Sequence, residues 1–237
     1  MLRALFLVLS LTFTGCVTQP VPLSGVPVSQ LGMISNLPIS ASNVYMGVTV
    51  FENRSEEAQV PWDFSSAVID EFKRQIEARG GKLLDLSDRP KIEKQPGTWF
   101  ETGYSLKFGL TLDKLNAETA EVLQHAMVEH NLDAILLLRP RQYNSDVPYG
   151  EARPTGTFGI FKRGGFLQKS RAHTFVQIEG RSIAGSPPAV VEDLDGSNLV
   201  PIDGTAGSMD MESAKFKSQI AMQITSAVSK MLAQLGI

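Results

Sequence analysis

Cysteine is almost missing from this sequence. Cys16 is the only one in 237 residues, so no disulfide can form within the chain and no cysteine-based zinc site is available. Histidine is nearly as scarce, with three copies. His125 and His130 lie five apart on an expected helix, about 500° of rotation, whereas a helical zinc pair needs i, i+4 spacing. His173 is the one histidine on an expected strand, and no G-x-S-x-G elbow accompanies it. Positive charge is not in excess either. A formal net charge of -3 and a pI of 5.7 give no overall pull toward nucleic acid.

Glycine-rich and acidic stretches are present, but with the wrong spacing for ligands. Gly156, Gly159, Gly164 and Gly165 fit neither a Walker loop nor a dinucleotide fingerprint. The stretch 155–166 (TGTFGIFKRGGF) reads instead as a β-hairpin turning at KRGG. Asp193 and Asp195 begin like a calcium loop, but the twelfth residue is Gly204 where a glutamate is needed. No catalytic residue, metal ligand or cofactor is therefore expected.

Long hydrophobic runs are absent too. The longest candidate, residues 4–11 (ALFLVLSL), is far shorter than the roughly 20 residues that span a bilayer. With Arg3 before it and the small residues Thr14 and Gly15 after it, residues 1–15 read as an export signal. The ending Thr14, Gly15, Cys16 resembles the lipobox of bacterial lipoproteins, although Phe13 replaces the usual leucine. The resemblance implies that Cys16 becomes the acylated first residue of the mature chain and anchors it to a lipid bilayer. One acyl chain binds a membrane only marginally, at about 0.8 kcal/mol per buried methylene, so a stable anchor carries two or three. Val17 rather than aspartate after the cysteine favours the outer membrane, on its periplasmic side. The alternative is an ordinary secreted protein with a stray cysteine.

Residues 16–42, rich in Pro, Ser and Gly, suit a lipidated tether. They are more apolar than a free linker needs, so part of them is expected against the domain or a partner. The domain proper is expected over residues 43–237. Residues 44–51 (VYMGVTVF) read as a buried strand, followed by a polar loop at 52–59. A helix follows with Pro61 at its first position and Asp63 in its first turn. Its stripe is Phe64, Val68, Phe72 and Ile76, and Gly80 and Gly81 stop it. A short strand comes next at 82–86, and residues 87–113 hold a hairpin or a packed loop.

Asn116 caps a helix over 117–130, Asn131 stops it, and 134–138 (AILLL) is the centre of the sheet. A Gly/Arg-rich excursion covers about 139–170. A strand follows at 172–178, then two short strands within 189–201 around Asp195 and Gly196. The last helix, about 210–235, carries Phe216, Ile220, Ile224, Val228, Met231 and Leu235 on one face. The expected fold is α/β (α+β): a single mixed β-sheet with helices packed on it, in one domain.

The excursion concentrates cationic and aromatic side chains, the types enriched at interface hot spots: Arg139, Arg141, Tyr143, Tyr149, Arg153, Phe158, Phe161, Lys162, Arg163 and Phe166. These are the candidate residues for a protein partner or an anionic envelope polymer.

The order of strand 44–51, helix ending in a glycine turn, strand 82–86 and helix leading through Asn131, Asp133 and Ala134 into a strand is similar to two envelope families. These are the curli-secretion-type lipoproteins and the amino-terminal domain of the Tol-system periplasmic protein. The resemblance covers about residues 44–138 and implies non-enzymatic work, as an accessory or assembly component of an envelope complex. It assigns no functional residue. A self-assembling structural lipoprotein and an envelope hydrolase are the alternatives.

Overall fold

The computed structural model describes residues 29–47, 53–88, 100–104, 111–140, 156–164, 171–202 and 210–237. The expected signal, Cys16 and the first part of the tether lie outside the described residues. In chain order the described elements are β1 (Gln30–Ser35), β2 (Ser40–Met46), β3 (Arg54–Gln59), α1 (Phe64–Glu77), β4 (Lys82–Asp85), β5 (Phe100–Tyr104), β6 (Thr111–Leu115), α2 (Ala117–His130), β7 (Ala134–Pro140), β8 (Phe158–Arg163), β9 (Arg171–Val176), β10 (Ile178–Ala184), β11 (Ala189–Asp195), β12 (Asn198–Pro201) and α3 (Ala214–Gln234).

The α/β class holds, but the expected single sheet is two five-stranded sheets and a separate β5–β6 hairpin. The first sheet has the order β11-β10-β7-β1-β4 and the second β12-β9-β8-β2-β3. Both are mixed: β1 runs parallel to β4 and β7, while β10 and β11 are antiparallel. In the second sheet β2 and β8 are the parallel pair. The chain passes from sheet to sheet without reversing. One residue, Gln177, separates β9 from β10, and two, Gly196 and Ser197, separate β11 from β12. Backbone bonds from Gly196 N to Ile178 O (2.9 Å) and from Gln177 N to Thr157 O close this corner.

Each helix begins where its cap permits. Asp63 is the N-cap of α1, accepting from Ser66 N at 3.2 Å and Ser66 Oγ at 2.8 Å, so the helix starts three residues after Pro61 rather than at it. Asn116 caps α2 by accepting from Thr119 N at 2.8 Å. Asn131 ends it in the left-handed conformation, φ 51°, which a short polar side chain tolerates better than most. Ser213 caps α3.

The apolar stripes meet as their spacing dictates. Phe64, Val68, Phe72 and Ile76 of α1 and Phe216, Ile220, Ile224, Val228 and Met231 of α3 pack on Leu31, Met33, Leu136 and Leu138 of the first sheet and Phe158 and Ile160 of the second. One helical layer thus covers both sheets. The other face of the first sheet (Ile34, Ile135, Leu137, Ile183) takes Leu123, Ala126 and Met127 of α2. The expectation that 134–138 is the central strand is met: β7 is the middle of five, with residues 134–138 fully buried.

The described fold reaches into the stretch that the sequence suggested as a tether. Residues 30–35 are a buried strand inside the first sheet, and β2 starts at Ser40. Alternating Pro and Gly before residue 28 masked the boundary, and the run QLGMIS has too few β-branched residues to announce a strand. Asp133 fixes where β1 begins, accepting from Ser29 N (2.7 Å), Gln30 N (2.8 Å) and Ser29 Oγ (3.1 Å). The two short strands expected within 189–201 do form, and they lie in different sheets. β10 escaped the sequence reading because Glu179, Arg181 and Ser182 break its apolar pattern.

Candidate functional site

The strand registers place one polar feature at one end of the molecule. Ser29, Lys82, Ala134 and Ala184 lie at the same end of the first sheet, since Gln30 pairs Lys82 and Ala134 pairs Ala184. The chain comes up β1, crosses to β2 and runs to Met46, at the end of the second sheet away from that crossover. There, β2, β3 and β8 form an open groove of ≈ 400 Å³, lined by Asn43, Tyr45, Arg54, Glu56 and Lys162.

Strand alternation builds this lining. Ala41, Asn43 and Tyr45 face one way along β2 and Phe158, Ile160 and Lys162 face the same way along β8. Phe158 and Ile160 are covered by the helical layer. Farther along the strands that cover ends, and the same face emerges as Lys162 and Tyr45, both half-buried. Arg54 pairs with Tyr45 on β3, and Tyr45 pairs with Lys162 on β8. Cation, aromatic ring and cation therefore stand side by side in one row across three strands. Asn43 pairs with Glu56 in the next row.

Tyr45 is held in place from below. A Cβ on Gly164 would lie 2.7 Å from the Tyr45 hydroxyl, so the phenol rests against bare backbone that any side chain would displace. Gly164 N donates to Met46 O at 2.7 Å, and Gly47 N donates to Asn53 Oδ1 at 3.2 Å. These bonds fix the ends of β2 and β8 beside the groove.

The sequence candidates divide. Lys162 is in the groove. Phe158 is fully buried and stacked on Phe64, with ring centroids 4.1 Å apart and planes 3° from parallel, and Trp62 tilts against both. Phe161 is buried on the opposite face of the second sheet with Val44 and Phe175. Both phenylalanines are therefore core residues, not a partner-facing surface. Arg139 sits on the first sheet, its Nε 3.3 Å from Glu179 of the facing strand. It belongs with the neighbouring Arg181–Asp193 pair at 3.0 Å, in a cross-strand ladder away from the groove. Arg163 is placed by its backbone, opposite Met46 and Arg171. Its side chain lies outside what is described, as do Arg141, Tyr143, Tyr149, Arg153 and Phe166. The expected hairpin is formed by β8 and β9, but the antiparallel ladder runs to the pair Arg163–Arg171, so the connection is longer than KRGG.

Tyr45, Arg54, Glu56 and Asn43 were missed. Residues 52–59 read as a polar loop, and RSEEAQ is instead the outer strand of the second sheet, exposed along almost its whole length. A charged strand with Ala58 as its one apolar residue gives no period-two signal. It is also the composition that keeps an edge from pairing with other chains.

The acidic stretch that began like a calcium loop is engaged by the protein itself. Asp195 accepts from Ser197 N at 2.8 Å and from Lys230 Nζ at 3.2 Å. Burial pushes its carboxyl up, but the Ser197 and Lys230 bonds outweigh that and hold it below the ordinary value.

No family profile matches this sequence, and no curated protein does. Two solved structures are similar. One is a DUF330 protein from Xanthomonas campestris, with 10% identity and a TM-score of 0.44 over 88% of this chain and 85% of that one. The other is a hypothetical protein from Chlamydia trachomatis, with 10% identity and a TM-score of 0.40 over 88% of this chain and 96% of that one.

Proposed function

We propose that this chain is a non-enzymatic envelope lipoprotein, anchored to the outer membrane through acylated Cys16, that binds a partner as an accessory or assembly component. The observation that carries the reading is that its two ends lie in different sheets, each away from the crossover between them. The described chain begins at Ser29, beside Lys82 and Ala134 in the first sheet, while the groove of Tyr45, Arg54 and Lys162 opens at the far end of the second. Thirteen residue steps separate Cys16 from Ser29, which reach at most about 45 Å when fully extended. A lipid on Cys16 thus leaves the groove end free to meet a periplasmic partner. Tyr and Arg on a rigid sheet face are the side chains that anchor protein interfaces.

Mass spectrometry of the mature chain extracted from cell envelopes tests the anchor. The expected result is a chain starting at a diacylated or triacylated Cys16, and loss of membrane association in Cys16→Ser. An unmodified cysteine on a soluble chain overturns it.

A further inference from the structure

The charge pattern of the groove narrows what it binds, and this inference rests on the binding role proposed above. Arg54 and Lys162 stand on either side of Tyr45, two strand spacings apart, about 10 Å. Both side chains are long enough to converge over the Tyr45 ring. Arg54 brings a planar fork that grips a carboxylate through two bonds, and Lys162 brings a point charge. Among the described residues no ion pair engages Arg54 or Lys162. The clamp is positive on a chain whose net charge is -3, so it is a local and specific feature.

Glu56 decides between classes of anion. It lies two residues along β3 from Arg54, on the same face and lining the same groove, about 6.7 Å away. A polyanion with one charge in the clamp brings its next charge within about 7 Å of Glu56. That repulsion weakens binding about threefold at the dielectric of water, and by some tens of fold at an effective dielectric near 20. A ligand carrying a positive group there gains by the same factor. In an extended peptide, side chains two apart share one face and are also about 6.7 Å apart.

We infer that the groove holds an extended peptide segment of a partner protein, with an acidic side chain between Arg54 and Lys162 and a basic side chain two positions away on Glu56. Tyr45 supplies the flat apolar contact beneath it, and its seat on Gly164 keeps that contact rigid.

The test is selection of nonapeptides from a displayed random library on the full-length chain purified in detergent. The wild-type chain is compared with Glu56→Lys and with the double variant Arg54→Ala, Lys162→Ala. Thermal melts monitored by circular dichroism establish that each variant is folded. The expected result is enrichment of Asp or Glu at one position with Lys or Arg two positions away. Glu56→Lys is expected to switch that second position to acidic residues. The double variant is expected to bind the selected wild-type peptides about tenfold more weakly. Three outcomes overturn the inference: no enrichment, enrichment of uniformly acidic peptides by the wild-type chain, or an unchanged second position in Glu56→Lys. Poly-glutamate and dextran sulfate serve as polyanion probes, and tighter binding of either than of the selected peptides also overturns it. None of these readouts depends on acylation, so a failed anchor and a failed peptide site are told apart.

Discussion

The two sheets share one layer of helices and are finished in different ways. In the first, β7 and β1 are buried on both faces, between α1 with α3 on one side and α2 on the other. In the second, the helical layer covers Phe158 and Ile160 but stops short of Tyr45 and Lys162, and the outer strand RSEEAQ is almost wholly exposed. The same strand geometry therefore serves two ends. Apolar side chains at consecutive positions make the first sheet a core, and polar ones past the edge of the helices make the second a surface. Core and groove are built from different residues, so substitutions in one should leave the other largely untouched.

The strongest way to break this comparison is to empty the first sheet. Leu136→Ala, at a fully buried position, is expected to lower unfolding free energy by about 3 kcal/mol, within the usual range for such a cavity. Arg54→Ala and Lys162→Ala are expected to change it by less than about 0.5 kcal/mol. Urea unfolding of the three variants checks both statements, and comparable losses would erase the distinction.

A smaller effect is expected where β1 is tied to β7. Asp133→Ala removes the acceptor of three hydrogen bonds from Ser29 and Gln30 and is expected to cost about 1–2 kcal/mol. Hydrogen exchange should show earlier opening of residues 29–31 while β8 and β9 stay protected. Asn131→Ala places an alanine at φ 51° and should cost about 1 kcal/mol, whereas Asn131→Gly should be close to neutral.

The smallest effect expected is on pH dependence. The Ser66 hydroxyl and backbone hold Asp63 below 3.8 against a smaller effect of burial. The Arg74 guanidinium holds Glu71 below 4.5, again against burial, with Gln75 assisting. Asp195 is lowered as described above. Carboxyls with depressed folded values contribute stability that is fully present above their unfolded values, and it is lost as pH falls through the folded ones. Thermal midpoints should thus be flat above about pH 5 and fall below about pH 4 with respect to these groups. Asp63→Asn should flatten that acid limb by a small amount.

The sequence exposed what periodicity and caps encode. The three helices appear, α1 and α3 with their stripes, Asn116 and Asn131 bound α2 as their chemistry dictates, and 134–138 is the central strand. Three things were hidden. β1 has no flanking signal and hides in a Pro- and Gly-rich stretch, because a strand buried by its neighbours needs no pattern of its own. The division into two sheets rests on the corners at Gln177 and Gly196, where long-range pairing and not local composition sets the path. The groove stayed hidden because its residues come from a strand that looks like a loop, from Asn43 just before the run 44–51, and from Tyr45 within that run, which was read as buried. Of the cationic and aromatic side chains picked out in the excursion, Lys162 reaches the groove, and the aromatic neighbours Phe158 and Phe161 were drawn into the core by the same hydrophobicity that singled them out.

The most direct test of the central claim is the distance of each end from the bilayer. Fluorophores can be placed one at a time on cysteines introduced at Lys82 and at Ser55, which pairs with Val44 beside the groove, because the native cysteine is occupied when Cys16 is acylated. Energy transfer to an acceptor lipid is then measured for the acylated chain in vesicles. Higher transfer from position 82 than from position 55 is the predicted result, with the groove end held away from the membrane. Equal transfer, or higher transfer from position 55, would contradict it.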